Sequence, residues 1–304
     1  MNTMTGQCTS RIFMVRPADF RYNPLTATSN AFQSAGDDPG NVQQRALSEF
    51  DRMVEILRSN QLEITVINDL EASNTPDSIF PNNWISFHNG LVFLYPMEAE
   101  NRRGERRKEV IGTLSHIAAV SRIEDLSYFE QQSKFLEGTG SMVLDRVNKL
   151  AYACLSPRTH RDVLTAFCEI AGYTPIVFRA MGDTGTPIYH TNVMMCIGEQ
   201  FAVVCLESIA DVTEREMVSN SLGRTGKELV AISYDQVNRF AGNMLELKNM
   251  NGEHILFMSE SAYRSLTTAQ VAVLEKYARL CWCSLSTIER NGGGSARCMI
   301  AEIF

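Results

Sequence analysis

Three residues in this chain have side chains that could together make and break a covalent bond. Cys298 stands in GGGSARCMI, His190 in YHTNVMM and Glu137 in FLEGTGSM. A thiolate attacks electrophilic carbon, an imidazole moves protons to a leaving amine and from water, and a carboxylate orients the imidazole and favours its charged form. Each has a blander reading alone: a buried thiol, a satisfied core histidine, a surface charge. The chemistry exists only if the fold brings together positions that are far apart in sequence.

A recurring unit supplies a means. Residues 83–95, NWISFHNGLVFLY, read as strand, Asn-Gly turn, strand, followed by a helix pattern in GERRKEVIGTLSH and a strand near AVSRI. The same order returns from GSMVLDRVNKLAYACL, whose helix stops at Gly172, from NVMMCIGEQFAVVCL and from NMLELKNMNGEHILFMS. The ends hold a fifth in halves: RCMIAEIF lacks a following partner, and RIFMVRP lacks a preceding one. First strands open near residues 83, 140, 192, 243 and 298, at intervals of 51 to 57 residues, a period typical of propellers and arrays. A closed ring of five hairpin-helix-strand units over 1–304, with the terminal strands paired, is preferred to two α/β sandwiches split near residue 180, which would leave both ends as exposed edges.

In such a ring the residues opening each first strand point to the axis. They are Asn83, the segment at Glu137, His190 with Asn192, Asn243 and Cys298. Gly- or Pro-rich approaches (FPNN, EGTG, FAGN, NGGGSARC) would allow close backbone approach and positive φ. Asn243 also reads as a strand cap.

The chain has 304 residues, 44% of them hydrophobic, and a net charge of -7 with pI near 5.4, which argues against nucleic acid or an anionic membrane as partner. The basic run RRGERRK, Arg102 to Lys108, reads as the solvated start of a helix. Most of the eight cysteines lie in apolar strand-like runs and read as free buried thiols. Cys281 and Cys283 alternate around Trp282 with strand spacing, so neither a zinc site nor any other cofactor is implied. His88 and His254 read as solvent-facing turn residues. With no long apolar run and no leader pattern, the expectation is a cytoplasmic protein that binds an amino-acid-like small molecule, with a homo-oligomer left open. Residues 26–40, TATSNAFQSAGDDPG, suit a lid or a connector.

The segments PDSIFPNNW, FLEGTG and PIYHTNVMM, with a cysteine after a Gly-rich loop, resemble the guanidino-group-modifying, or pentein, superfamily over nearly the whole chain. The opening FMVRPADFRYNPLTATSNAFQ is most similar to its bacterial citrulline-utilisation hydrolases, often labelled amidinotransferase-like. The resemblance implies a five-bladed α/β propeller of pseudo-five-fold symmetry, with Cys298 as nucleophile, His190 as catalytic histidine and Glu137 as its acidic partner. Four positions depart from the family pattern. Asp77 and Phe80 are kept in the substrate-binding segment, but its two later acids are Asn82 and Asn83; the fourth position of the E-G-G-D-like motif is Gly140; and H-x-D reads His190-Thr191-Asn192.

A guanidinium is a cationic fork that rewards carboxylates, whereas a ureido group offers one acceptor and N–H donors, which amides match. Asn83, Asn192 and Asn243 therefore favour citrulline or a close analogue, hydrolysed to ornithine, carbon dioxide and ammonia through a Cys298 thiocarbamate, with amides or backbone N–H groups holding the oxyanion. The alternatives are an arginine deiminase-like enzyme, dihydrolase or amidinotransferase on a guanidino substrate, and a non-catalytic pentein binding protein. For the substrate carboxylate Arg179 ranks first, ahead of Arg16 and Arg297.

Overall fold

The computed structural model describes residues 6–35, 39–71 and 73–304. The chain builds five three-stranded sheets on one plan. β1 (Arg11–Arg16) lies parallel to β2 (Glu63–Asn68). β3 (Ile85–His88) and β4 (Leu91–Leu94) form an antiparallel hairpin, and β5 (Arg122–Asp125) lies parallel to β4. The pattern repeats in β6 (Val143–Asp145), β7 (Leu150–Cys154) and β8 (Thr174–Phe178), in β9 (Met195–Ile197), β10 (Phe201–Val204) and β11 (Glu228–Ala231), and in β12 (Leu245–Lys248), β13 (His254–Ser259) and β14 (Arg279–Cys283). β15 (Ala301–Glu302) then returns to β1, antiparallel, with Ile12 opposite Glu302 and Phe13 opposite Ala301. The fifth hairpin is thus closed across the two ends of the chain.

Local sequence explains the parts. Asn89 (φ 49°) and Gly90 (φ 80°) take the left-handed conformations that a two-residue hairpin turn requires, joining β3 to β4. Each parallel pair needs a crossover, supplied by helices. Val42–Ser59 buries Ala46, Phe50, Met53, Val54 and Leu57 at helical spacing. Arg161–Ala171 ends at Gly172 in the left-handed region. Val212–Arg224 starts at Asp211, whose side chain accepts from the Glu214 N–H. Packing between neighbouring sheets makes the core; Phe13, Trp84, Ile85 and Ala301 belong to one apolar cluster that binds the closing sheet to the next. Among the described residues, no helix is long and apolar enough to cross a membrane.

The residues expected to open the first strands sit one step earlier, in a helical turn. The same i to i+3 backbone bond recurs in every unit: Asn83 to Phe80, Gly140 to Glu137, Val193 to His190, Asn243 to Phe240 and Cys298 to Ser295, at 2.8–3.3 Å. The turn folds the backbone across the end of the hairpin, so residues one to three positions apart share the central opening. An extended strand would send them to alternate faces.

Two other expectations fail because long-range packing decides burial. The basic run is not a solvated face: Arg102 is 2% exposed and forms a two-pronged ion pair with Glu105. His88 is no solvent-facing residue: it bonds Ser86 and packs against Phe93, Phe167 and Tyr173, and burial pushes its imidazole well below the usual range.

Candidate active site

Helix Ser286–Gly292 ends at Gly293 with φ +62°. The next residues pass so close to the Phe80 ring that a Cβ on Gly292 or Gly294 would lie 2.8 or 2.9 Å from it. The backbone can take that path only without side chains, and it leads into the turn Ala296–Met299 that carries Cys298. The triple glycine therefore has the role its sequence suggested.

Cys298 is buried, and its Sγ accepts from two amides, Asn243 Nδ2 at 3.2 Å and Asn192 Nδ2 at 3.4 Å. Asn243 is itself fixed: Nδ2 also donates to the Asn192 carbonyl, and Oδ1 accepts from the Arg297 N–H. It does more than cap a strand.

His190 and Cys298 line one cavity, and His190 Nε2 lies 2.9 Å from Glu137 Oε2. Burial raises Glu137, but the Arg158 guanidinium, the His190 bond and Arg102 outweigh it and hold the carboxyl well below the usual range. For His190 the balance is the reverse. Burial dominates over the Glu137 carboxylate, with Arg158 and Arg102 opposing the cation, and lowers the imidazole to about 4. Glu137 thus orients a neutral imidazole at neutral pH, where the sequence reading had it favour the charged form. With Glu137 ionised, Nε2 carries the proton and Nδ1 is the basic nitrogen.

The same cavity is lined by Asp77, Phe80, Asn83, Arg102, Arg158 and Tyr189. Asp77 Oδ2 accepts from Asn23 and Thr26, while Oδ1 is buried without a partner. Asn83 Oδ1 accepts from Arg102. At Gly140, where the resemblance led to an expected acid, a Cβ would lie 2.5 Å from Asn83 Nδ2 and 2.7 Å from His190 Nδ1. The free space is about 10 Å³, room for roughly one water. It is covered by the chain from Asn23 to Gln33, tied down by Thr26 on Asp77, Asn30 on the Gly293 carbonyl and Gln33 on the Asn291 carbonyl. Its residues 26–33 belong to the segment read as a lid or a connector, of which residues 36–38 lie outside the described residues.

Of the residues singled out in the sequence, Cys298, His190, Glu137, Asp77, Phe80, Asn83, Asn192 and Asn243 come together. Arg179 does not. It follows the end of β8, its side chain is 69% exposed, and it pairs with Glu214 of the next helix. Arg16 pairs with Asp51, and Arg297 with Glu302 in a separate cavity. The arginines that do reach the site, Arg102 and Arg158, went unrecognised. Arg102 carried one signal, its i, i+3 spacing to Glu105, which places the two charges as neighbours; Arg158, whose partners are distant in sequence, carried none.

The comparisons agree with this architecture. The fold matches cyanobacterial ArgZ, described as an arginine dihydrolase, at TM-score 0.75 and 15% identity, over 96% of this chain but 40% of that one, so the chain spans less than half of full-length ArgZ. The product-bound N-terminal domain of ArgZ matches at 0.73 and 16%, over 97% of both chains. A dimethylarginine dimethylaminohydrolase adduct with S-methyl-L-thiocitrulline matches at 0.66 and 17%, over 97% of this chain and 99% of that one. No curated protein sequence matches. The family described as N,N dimethylarginine dimethylhydrolase, eukaryotic, matches residues 16–304, and this chain belongs to it.

Proposed function

We propose that this protein hydrolyses the guanidino group of an arginine-like free amino acid, unsubstituted or N-methylated, through a covalent intermediate on Cys298. The observation that carries this is the kind of atom left unsatisfied around the nucleophile. Asp77 Oδ1 and Asn192 Oδ1 are buried acceptors without donors. A guanidinium and an α-ammonium carry only donors and supply what these oxygens lack. A buried carboxylate oxygen in particular calls for a cationic partner. Arg158 replaces Arg179 as the partner of the substrate carboxylate: it is buried in the cavity wall, 4.9 Å over the Tyr189 ring.

In the reaction the Cys298 sulfur bonds to the guanidinium carbon while its thiol proton passes to neutral His190. His190 returns that proton to the departing amine, leaving a thiouronium. Water then attacks the same carbon and gives one proton to His190, the C–S bond breaks as the remaining hydroxyl proton passes to sulfur, releasing a ureido product and the thiol, and His190 passes its proton to the released amine. Water is consumed and one amine released.

The ureido reading, with citrulline as substrate, ranks second; the neutral amides Asn83, Asn192 and Asn243 favour it. Incubation with arginine, Nω,Nω-dimethylarginine and citrulline, with ureido product, ornithine and amine measured together, separates the two. Ureido product from a guanidino substrate, abolished in Cys298→Ser, is the expected result. Turnover of citrulline alone overturns it.

A further inference from the structure

The sequence has no zinc spacing, yet the tertiary fold assembles ligand-type side chains that do not line the Cys298 cavity. Cys8 precedes β1, Glu199 lies in the turn between β9 and β10, and His254 is the first residue of β13. One ligand atom of each lies within 4.8 Å of the other two. In a tetrahedral zinc site, ligand atoms stand roughly 3.3 to 3.8 Å apart, so the cluster needs to contract by only about an ångström.

A buried carboxylate already organises all three. Glu246 Oε1 lies 2.8 Å from His254 Nδ1, and its Oε2 accepts from the Cys8 thiol at 3.2 Å and from the Glu199 N–H at 2.6 Å. The Glu246 contact places the imidazole proton on Nδ1 and leaves the Nε2 lone pair, and Nε2 is the nitrogen 3.7 Å from Glu199 Oε2. A metal-bound histidine is oriented in this way, with a carboxylate behind the ring and the second nitrogen facing the ion. Among the described residues, His254 is the only basic side chain within ion-pair reach of Glu199 or Glu246. The solvent-facing turn residue expected at His254 is instead half-buried between two carboxylates.

We propose that Cys8, Glu199 and His254 bind a zinc ion, with water at the fourth position. Sulfur, nitrogen and oxygen ligands together suit a borderline-soft cation and not magnesium or calcium, which take oxygen. Binding forms one metal bond to each of Cys8 Sγ, His254 Nε2 and a Glu199 oxygen, and releases the Cys8 thiol proton to solvent. The ion then clamps the segment ahead of β1 to the β9–β11 and β12–β14 sheets, and with it the edge where the ring closes.

The test uses the full chain carrying Cys298→Ser, which removes the thiol that shares a cavity with His190. Metal-free protein is titrated with Zn²⁺ by calorimetry and with Co²⁺ by absorption. One equivalent of Zn²⁺ should bind and raise the thermal midpoint, and Co²⁺ should show thiolate charge-transfer absorption with tetrahedral visible bands. Adding Cys8→Ser or His254→Gln should weaken Zn²⁺ at least about tenfold. Glu199→Gln, on an exposed turn, gives the same reading without risk to folding. Failure to bind an equivalent of Zn²⁺ at micromolar concentration, or affinity unchanged by these substitutions, overturns the proposal.

Discussion

His190 Nε2 and Glu137 Oε2 lie 2.9 Å apart across the boundary between two neighbouring units of the ring, and neither side chain reaches solvent. The contact holds the imidazole proton on Nε2 and keeps Nδ1 free to take and return a proton, as the proposed reaction requires. In Glu137→Gln the amide can present its N–H to Nε2 and so reverse the tautomer. The turnover number should fall about 10²- to 10⁴-fold, with KM changed far less. Steady-state kinetics on the guanidino substrate, with retained alkylation of Cys298 to show that the site is folded, checks this.

His190 also makes stability depend on pH. Its pKa is lowered from the ordinary 6.5 to about 4 in the folded protein, chiefly by burial. The unfolded chain therefore binds this proton first as pH falls. The contribution is fully present above pH 6.5 and is lost progressively between about pH 6.5 and 4, on the order of 3 kcal/mol in all. Other buried groups titrate in the same range, so the readout is a difference: denaturant midpoints against pH should fall more steeply in the wild-type protein than in His190→Gln.

Gly140 separates catalysis from folding. The three atoms that a Cβ there would meet first all belong to the side chains of Asn83 and His190, at distances no real Cβ shows. In Gly140→Ala both functional side chains must shift while the hairpin stays intact. Activity should drop at least about tenfold, since displacements of this size at a catalytic group are costly, with little change in thermal midpoint. Parallel circular dichroism melts and rates provide the comparison.

The Arg102–Glu105 ion pair is fully buried, with Nε and Nη2 each bonded to a carboxylate oxygen at 2.8 and 3.0 Å. Glu105→Ala removes the carboxylate bonded to two of the guanidinium nitrogens, leaves only the longer contact to Glu137, and should cost about 3 to 5 kcal/mol, measurable by urea unfolding. Replacing both partners with apolar residues of similar volume should restore much of the loss.

What the sequence by itself determined is what short-range chemistry encodes. The Asn89-Gly90 turn, the Gly172 stop, the alternation of apolar strands and the spacing of five units are each written within a few residues, and their regularity alone requires β15 to find β1. Cys298, His190 and Glu137 were legible for the same reason, because each opens a unit. The tertiary structure decided the rest. Arg179 follows a strand directly and Arg158 stands in the turn after another, yet the first lies at the rim beside Glu214 and the second beneath Tyr189, which long-range packing decides. Burial, a sum over distant elements, turned an imidazole expected to be charged into a neutral base. It also drew Arg102 out of a basic run and set Cys8, Glu199 and His254 around one carboxylate. Periodicity is carried along the chain, but the dielectric surroundings of a charge arise only when the ring closes.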